Sequence, residues 1–265
     1  MKYITYAKYM GVAFAVLYLS ACGGGNGNDD EAAGENGETA EEEEASQNSD
    51  EDSNETENTE EALINEDDVF TDESILALAN KSNYLGEDYI PEDLVTVEVP
   101  TVLESPEVNQ MREEASDALT TMFNAAEEDD IILYARSGYR SYNTQISLYN
   151  NYKEAHGEEA ADRFSARPGA SEHQTGLAMD VTSESAGYEL TEDFRDTEEG
   201  TWVRENAHKF GFIIRYPEDM EDITGYMFEP WHLRYLGEEV ATDVYESGLT
   251  YEEYIKESGI DINEE

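Results

Sequence analysis

The chain has 265 residues, with 15 Lys and Arg against 64 Asp and Glu, for a formal net charge of -49. A nucleic-acid backbone needs a basic footprint and anionic lipid needs a polybasic one, so this balance excludes both as partners of the protein surface. The length allows one domain or two small ones, and the single cysteine rules out a disulfide within the chain.

Lys2 and Lys8 precede an apolar run from Met10 to Leu19 that is short for a membrane span and has the length of a signal-peptide core. The run ends in Leu19-Ser20-Ala21-Cys22-Gly23, which resembles the lipobox of bacterial lipoproteins. That resemblance implies that residues 1–22 are a signal peptide and that Cys22 is lipidated, becoming the mature N-terminus outside the cytoplasmic membrane. Stable anchoring takes more than one acyl chain, so a multiply acylated Cys22 is expected, and it would be the only membrane attachment.

From Gly23 to about Asp68 the chain is mostly Gly, Asn, Ser, Thr, Ala and acid, almost without large apolar residues, and no basic residue lies between Lys8 and Lys81. Such a stretch buries too little apolar surface to offset its ordering entropy, and its like charges repel, so 23–68 is expected to be a disordered tether. Residues 69–104 read as an extended arm, with a short helix over Ser74–Leu78 and breaks at Pro91 and Pro100.

A compact domain is expected over 105–265. Ser105-Pro106-Glu107 has the form of a helix start, followed by Val108, Met111, Ala115, Leu119, Met122, Phe123 and Ala126 at three- and four-residue steps. The pattern then predicts a strand over Ile131–Ala135, a helix over Tyr142–His156 and a strand over Leu177–Val181. It continues with a helix over Trp202–Phe210 and strands over Phe212–Arg215, Tyr226–Phe228 and Trp231–Tyr235. Helices over Glu238–Tyr245 and Tyr251–Lys256 close the chain. The fold class is α+β, a small antiparallel sheet flanked by helices, and a monomer is expected.

Two of the four histidines sit in settings that suggest chemistry. Ser171-Glu172-His173-Gln174-Thr175-Gly176-Leu177-Ala178-Met179-Asp180 places Asp180 in a strand-like apolar run, where a carboxylate is costly unless compensated by a metal, backbone amides or an Arg. Glu229-Pro230-Trp231-His232 sets a Glu three residues before a His among aromatic neighbours. His173, Asp180 and His232 together are a three-ligand set that leaves zinc an open position for water. Zinc lowers the pKa of such a water and polarises a carbonyl, and Glu229 is then placed as the general base.

Three blocks resemble the VanY-type D-alanyl-D-alanine carboxypeptidases and the related LD-carboxypeptidases. They are Ser137-Gly138-Tyr139-Arg140-Ser141 with Gln145, Ser171-x-His173-Gln174-x-Gly176-x-Ala178-x-Asp180, and Glu229-Pro230-Trp231-His232, spanning roughly residues 105–250. The resemblance implies one zinc ion on His173, Asp180 and His232, Glu229 as catalytic base, and Arg140 stabilising the negative oxygen of the tetrahedral intermediate. It implies a peptidoglycan stem peptide as substrate, with the C-terminal D-alanine removed. Ser171 is the implied contact for the substrate carboxylate, with Gln145 and Ser141 behind it; the alternative for each is a turn or cap residue. A zinc endopeptidase and a non-catalytic wall-binding lipoprotein are the competing functions. Trp231 is expected to pack under His232, Arg167 to pair with acidic neighbours, and His156 and His208 to lie on solvated helix faces.

Overall fold

Side chains alternate between the two faces of a strand, and in the computed structural model, which describes residues 63–262, that alternation separates the oily core from the polar site. The elements run in order α1 (Glu66–Phe70), β1 (Leu94–Thr96), β2 (Gln110–Arg112), α2 (Glu113–Glu128), β3 (Tyr134–Ser137), α3 (Tyr142–His156) and α4 (Glu158–Phe164). They continue with β4 (Ala178–Thr182), α5 (Glu198–Asn206), β5 (Phe212–Tyr216), α6 (Glu221–Thr224), β6 (Glu229–Tyr235), α7 (Glu238–Ser247) and α8 (Tyr251–Glu257). Strands β3, β4, β6 and β5 form, in that order, a four-stranded antiparallel sheet, and β1 and β2 form a separate antiparallel pair. The fold is α+β, as expected.

Leu177, Met179 and Val181 turn one way from β4 and its approach, with Leu233 and Tyr235 from β6, into a core closed by Met111 and by Ala115, Leu119, Met122, Phe123 and Ala126 of α2. Asp180 on β4 and His232 and Arg234 on β6 alternate with these residues, which places them on the opposite face. A second core joins Ile64, Val69, Leu76 and Leu78 to Ile213, Val240, Val244, Tyr251 and Ile255 of β5, α7 and α8.

Several expected boundaries move. The helix predicted from Ser105 begins at Glu113, because 110–112 pair with Leu94–Thr96 and Asn109 donates from its backbone to Ser105 in a turn. Met111 is therefore a strand residue that still reaches the same core. Ser74–Leu78 is a turn rather than a helix, and 226–228 is not a strand. The predicted helix over Trp202–Phe210 is the end of α5 followed by a 3-10 turn over Ala207–Phe210.

The tether ends earlier than residue 68. Asn65 caps α1 reciprocally with Asp68, and Ile64 and Val69 bury into the second core, so apolar burial offsets the ordering of this acidic stretch. The rest of 23–68, through residue 62, lies outside the described residues, as do the signal peptide and Cys22.

Candidate active site

The site is assembled from one turn, two strands and one loop. His173 lies in a 3-10 turn over Glu172–Thr175 that ends at Gly176 in a left-handed conformation, φ +69°. A Cβ at Gly176 would come 2.8 Å from Leu94 Cδ2 and 3.1 Å from Arg112 Cγ, so glycine satisfies both the backbone and the packing. The chain then enters β4, where Asp180 pairs across the ladder with His232 of β6. Glu229, at the start of β6, pairs with Tyr216 at the end of β5.

His173, Asp180 and His232 offer ligand atoms that all lie within 4.8 Å of one another, and all three residues are buried. His173 Nε2 is 3.4 Å from Asp180 Oδ2, and His232 Nδ1 is 3.0 Å from Asp180 Oδ1. Donor atoms on a tetrahedral zinc with bonds of about 2.0–2.1 Å stand roughly 3.3 Å apart, so these separations suit the ion. His173 Nδ1 lies 2.8 Å from the Gly138 carbonyl, an acceptor, which assigns the proton to Nδ1 and the lone pair to Nε2. A Cβ at Gly138 would come 2.4 Å from the Gln110 carbonyl, so its backbone reaches His173 only because it carries no side chain. The donor set, its burial and the His173 tautomer fit zinc.

Glu229 Oε2 lies 3.7 Å from His232 Nδ1, beside the ligand set. Burial, only partly offset by His232, raises the Glu229 carboxyl to about 7. Burial and the Arg140 charge lower His173 to about 3, which keeps it neutral as a ligand must be. Burial also works against a charged His232, yet hydrogen bonds to Asp180 and Glu172 raise it to about 9. The Asp180 carboxyl stays below its ordinary value because His173 and His232 outweigh its burial.

Arg140, Ser171, Glu172, His173, Asp180, Glu229, Trp231 and His232 line a cavity of about 540 Å3, walled also by Tyr152, Tyr216 and Tyr226. Arg140 donates to Gln145 Oε1 at 3.0 Å and to Ser137 Oγ at 3.1 Å, and its backbone N–H bonds the His173 carbonyl. Gln145 and Ser141 do not line the cavity. Gln145 is 1% exposed and uses its amide on Arg140 and the Ala166 carbonyl, so it holds the arginine. Ser141 caps α3 by accepting from the Thr144 backbone.

Arg167 pairs with Asp162 and Glu158, and Asp162 is held at about 2 chiefly by its hydrogen bonds from Arg167. His156 is exposed, but His208 is not on a solvated face: it is buried against the Tyr245 ring, 3.7 Å between centroids. Trp231 packs partly on the core and also walls the cavity.

Sequence reasoning missed Glu172. Its carboxylate is fully buried, with Oε2 3.4 Å from His232 Nε2 and Oε1 accepting from Arg215 Nε and Arg234 Nη1, each at 2.8 Å. Although burial opposes ionisation, Arg215 and Arg234 hold this carboxyl well below the usual carboxylate range. The available signal was the Arg in each of two otherwise apolar strands, Phe212-Ile-Ile-Arg215-Tyr216 and His232-Leu-Arg234-Tyr235, since a buried Arg demands a carboxylate.

Residues 108–238 match the family model VanY: D-alanyl-D-alanine carboxypeptidase. The chain is 50% identical over 185 residues to YodJ of Bacillus subtilis (strain 168), a carboxypeptidase by name, covering 69% of this chain and 68% of that one. Among solved structures it resembles the LdcB LD-carboxypeptidase at 49% identity and a TM-score of 0.68, covering 70% of this chain and 87% of that one. It also resembles a variant of the vancomycin-resistance D,D-pentapeptidase VanY from a VanB-type cassette, solved with Zn(II). There the identity is 35% and the TM-score 0.54, over 68% of this chain and 97% of the other. With its three sequence blocks converging on one cavity, the chain belongs to the VanY family of D-alanyl-D-alanine carboxypeptidases.

Proposed function

We propose that this protein is a zinc carboxypeptidase that removes the C-terminal D-alanine from peptidoglycan stem peptides. The observation that carries the reading is the convergence of His173, Asp180 and His232, with the Glu229 carboxylate beside them. Zinc held by those three residues would supply Lewis acidity, activating a water and polarising the scissile carbonyl. Glu229, whose Oε2 lies 3.7 Å from His232 Nδ1, would take a proton from the attacking water and pass it to the leaving amine. Arg140, held in place by Gln145 and Ser137, points positive charge at the oxygen that becomes negative. Ser171, at the cavity wall, would donate to the substrate carboxylate.

The likeness to the LdcB LD-carboxypeptidase favours the tetrapeptide stem, in which D-alanine follows the side-chain-bearing third residue, over the D-Ala-D-Ala pentapeptide. Incubating purified protein with each stem, with and without chelator, tests this. Release of D-alanine from the tetrapeptide, abolished by chelation, is expected; release from the pentapeptide alone would overturn the bond assignment.

The lipobox-like run ending at Cys22 supports attachment outside the cytoplasmic membrane through lipid. Labelled fatty acid should be incorporated into the wild-type chain and not into Cys22→Ala. Absence of label from the wild type, or equal labelling of both, would remove the anchor.

A further inference from the structure

The family match ends at residue 238, yet the buried charges beneath the ligand His232 continue beyond it. Arg215 joins Glu172 to Glu252 of α8, donating Nε to Glu172 at 2.8 Å and both terminal nitrogens to Glu252 at 2.8 and 2.5 Å. Asn80 Nδ2 donates to Glu252 Oε1 at 3.2 Å. Arg234, shared with Glu172, donates onward to the carbonyls of Ile75 and Ala77 at 3.0 and 2.7 Å, and Tyr251 donates to the Leu76 carbonyl at 2.5 Å. Arg215 and Arg234 have no exposed side-chain surface and Glu252 has 1%. Two carboxylates and two guanidinium groups thus balance in a buried network that touches a metal ligand at one end and α8 and residues 75–80 at the other.

We propose that Glu172 is a positioning residue for the metal centre, and that the Glu172–Arg215–Glu252 chain with Arg234 makes zinc affinity depend on α8 and on residues 75–80. This rests on the zinc reading above. A carboxylate facing the back nitrogen of a ligand imidazole selects the tautomer and fixes the ring plane, here keeping the lone pair on the Nδ1 side that faces Asp180. Such a carboxylate works only if it is itself held. The two guanidinium groups share Oε1, which leaves Oε2 directed at His232. The arginines are in turn oriented by Glu252 and by the carbonyls of 75 and 77, so loosening either α8 or residues 75–80 loosens the ring.

The test measures zinc dissociation constants of the full chain by competition with a chromogenic chelator at one pH. The comparison takes in wild type, His232→Ala, Glu172→Gln, Glu252→Gln and Val244→Ala. The visible spectrum of each Co(II) form and the melting temperature of each metal-free form are recorded alongside. Val244 packs in the second core and has no polar atom to contribute to the charge network, so it reports generic destabilisation. Glu172→Gln is expected to weaken zinc about 10–100-fold and to shift the Co(II) bands. Glu252→Gln should weaken zinc by a smaller factor in the same direction, and Val244→Ala should leave it unchanged despite a lower metal-free melt. Zinc binding by Glu172→Gln and Glu252→Gln within twofold of wild type overturns the inference, as does an equal weakening in Val244→Ala. Should Glu172→Gln fail to fold, Glu252→Gln against Val244→Ala decides alone. Wild type that takes up no zinc, or His232→Ala that binds like wild type, overturns the zinc reading instead.

Discussion

Asp180 and His232 are cross-strand partners on β4 and β6, with Asp180 Oδ1 3.0 Å from His232 Nδ1, although 52 residues separate them in the chain. Two of the three candidate ligands are therefore set by sheet register, and the third, His173, by the turn that feeds β4. Metal binding and tertiary structure should be coupled accordingly.

His173→Ala, Asp180→Ala and His232→Ala should each lose stoichiometric zinc, measured by atomic absorption after gel filtration. Glu229→Gln should keep its zinc and lose activity by about 10²–10⁴. Chelator should lower the wild-type melting temperature, since zinc present at about 1,000 times its dissociation constant adds roughly 4 kcal/mol to stability. An unchanged melt on chelation would argue against a deeply held ion.

Arg140→Ala should lower kcat by about 10²–10³ with zinc content unchanged, as expected for a group acting on developing charge. Gln145→Ala should give a smaller loss, because Ser137 still holds the guanidinium. Steady-state kinetics on the stem peptide reads both, and a Gln145→Ala variant slower than Arg140→Ala would mean that Gln145 has a role of its own.

The pH dependence of metal-free stability should change on replacing Glu229. Its folded-state value of about 7 lies above the ordinary 4.5, so between those values the folded form binds more protons than the unfolded. Stability from this group then falls as pH rises from 4.5 to 7, reaching a deficit of about 3 kcal/mol above 7 that is absent below 4.5. In chelator, Glu229→Gln should be more stable than wild type at pH 8, with the difference shrinking toward pH 4.5. A constant difference in urea titrations across that range would contradict the assignment.

Gly176→Ala should destabilise the domain by about 2–4 kcal/mol, combining left-handed backbone strain with overpacking against Leu94 and Arg112. For a domain of this size that is roughly 4–15 °C of melting temperature. Gly248→Ala, with the same left-handed backbone at φ +70° but open space at its Cβ, should cost less. Calorimetry that reversed this order would show that crowding at Gly176 is relieved by local movement.

Legibility in the sequence followed the range of the interactions. Helix Tyr142–His156 was readable to the residue because its signals are local: Ser141 caps one end and Gly157 ends the other. Ser105-Pro106 carried an equally local signal that failed, because 110–112 gain strand pairing with 94–96. The group of His173, Asp180 and His232 was legible because its chemistry is unusual at those positions. Glu172 was invisible because its partners lie 43 and 62 residues away, and nothing local marks a carboxylate that faces inward. For Gln145 and Ser141 the sequence leaves substrate contact and a turn or cap role open, because nothing local tells a supporting side chain from a lining one; Gln145 bonds Arg140 and Ser141 caps α3.

The two-faced alternation of β4 and β6 also sets what kinds of change the enzyme can accumulate. Inserting or deleting one residue within either strand would turn Asp180 or His232 toward the oily side under α2 and bring Met179 or Leu233 into the cavity. No half-functional form lies along that path. Length variation in this lineage should thus be confined to the loops between strands, while the spacing from His173 to Asp180 and from Glu229 to Arg234 stays invariant.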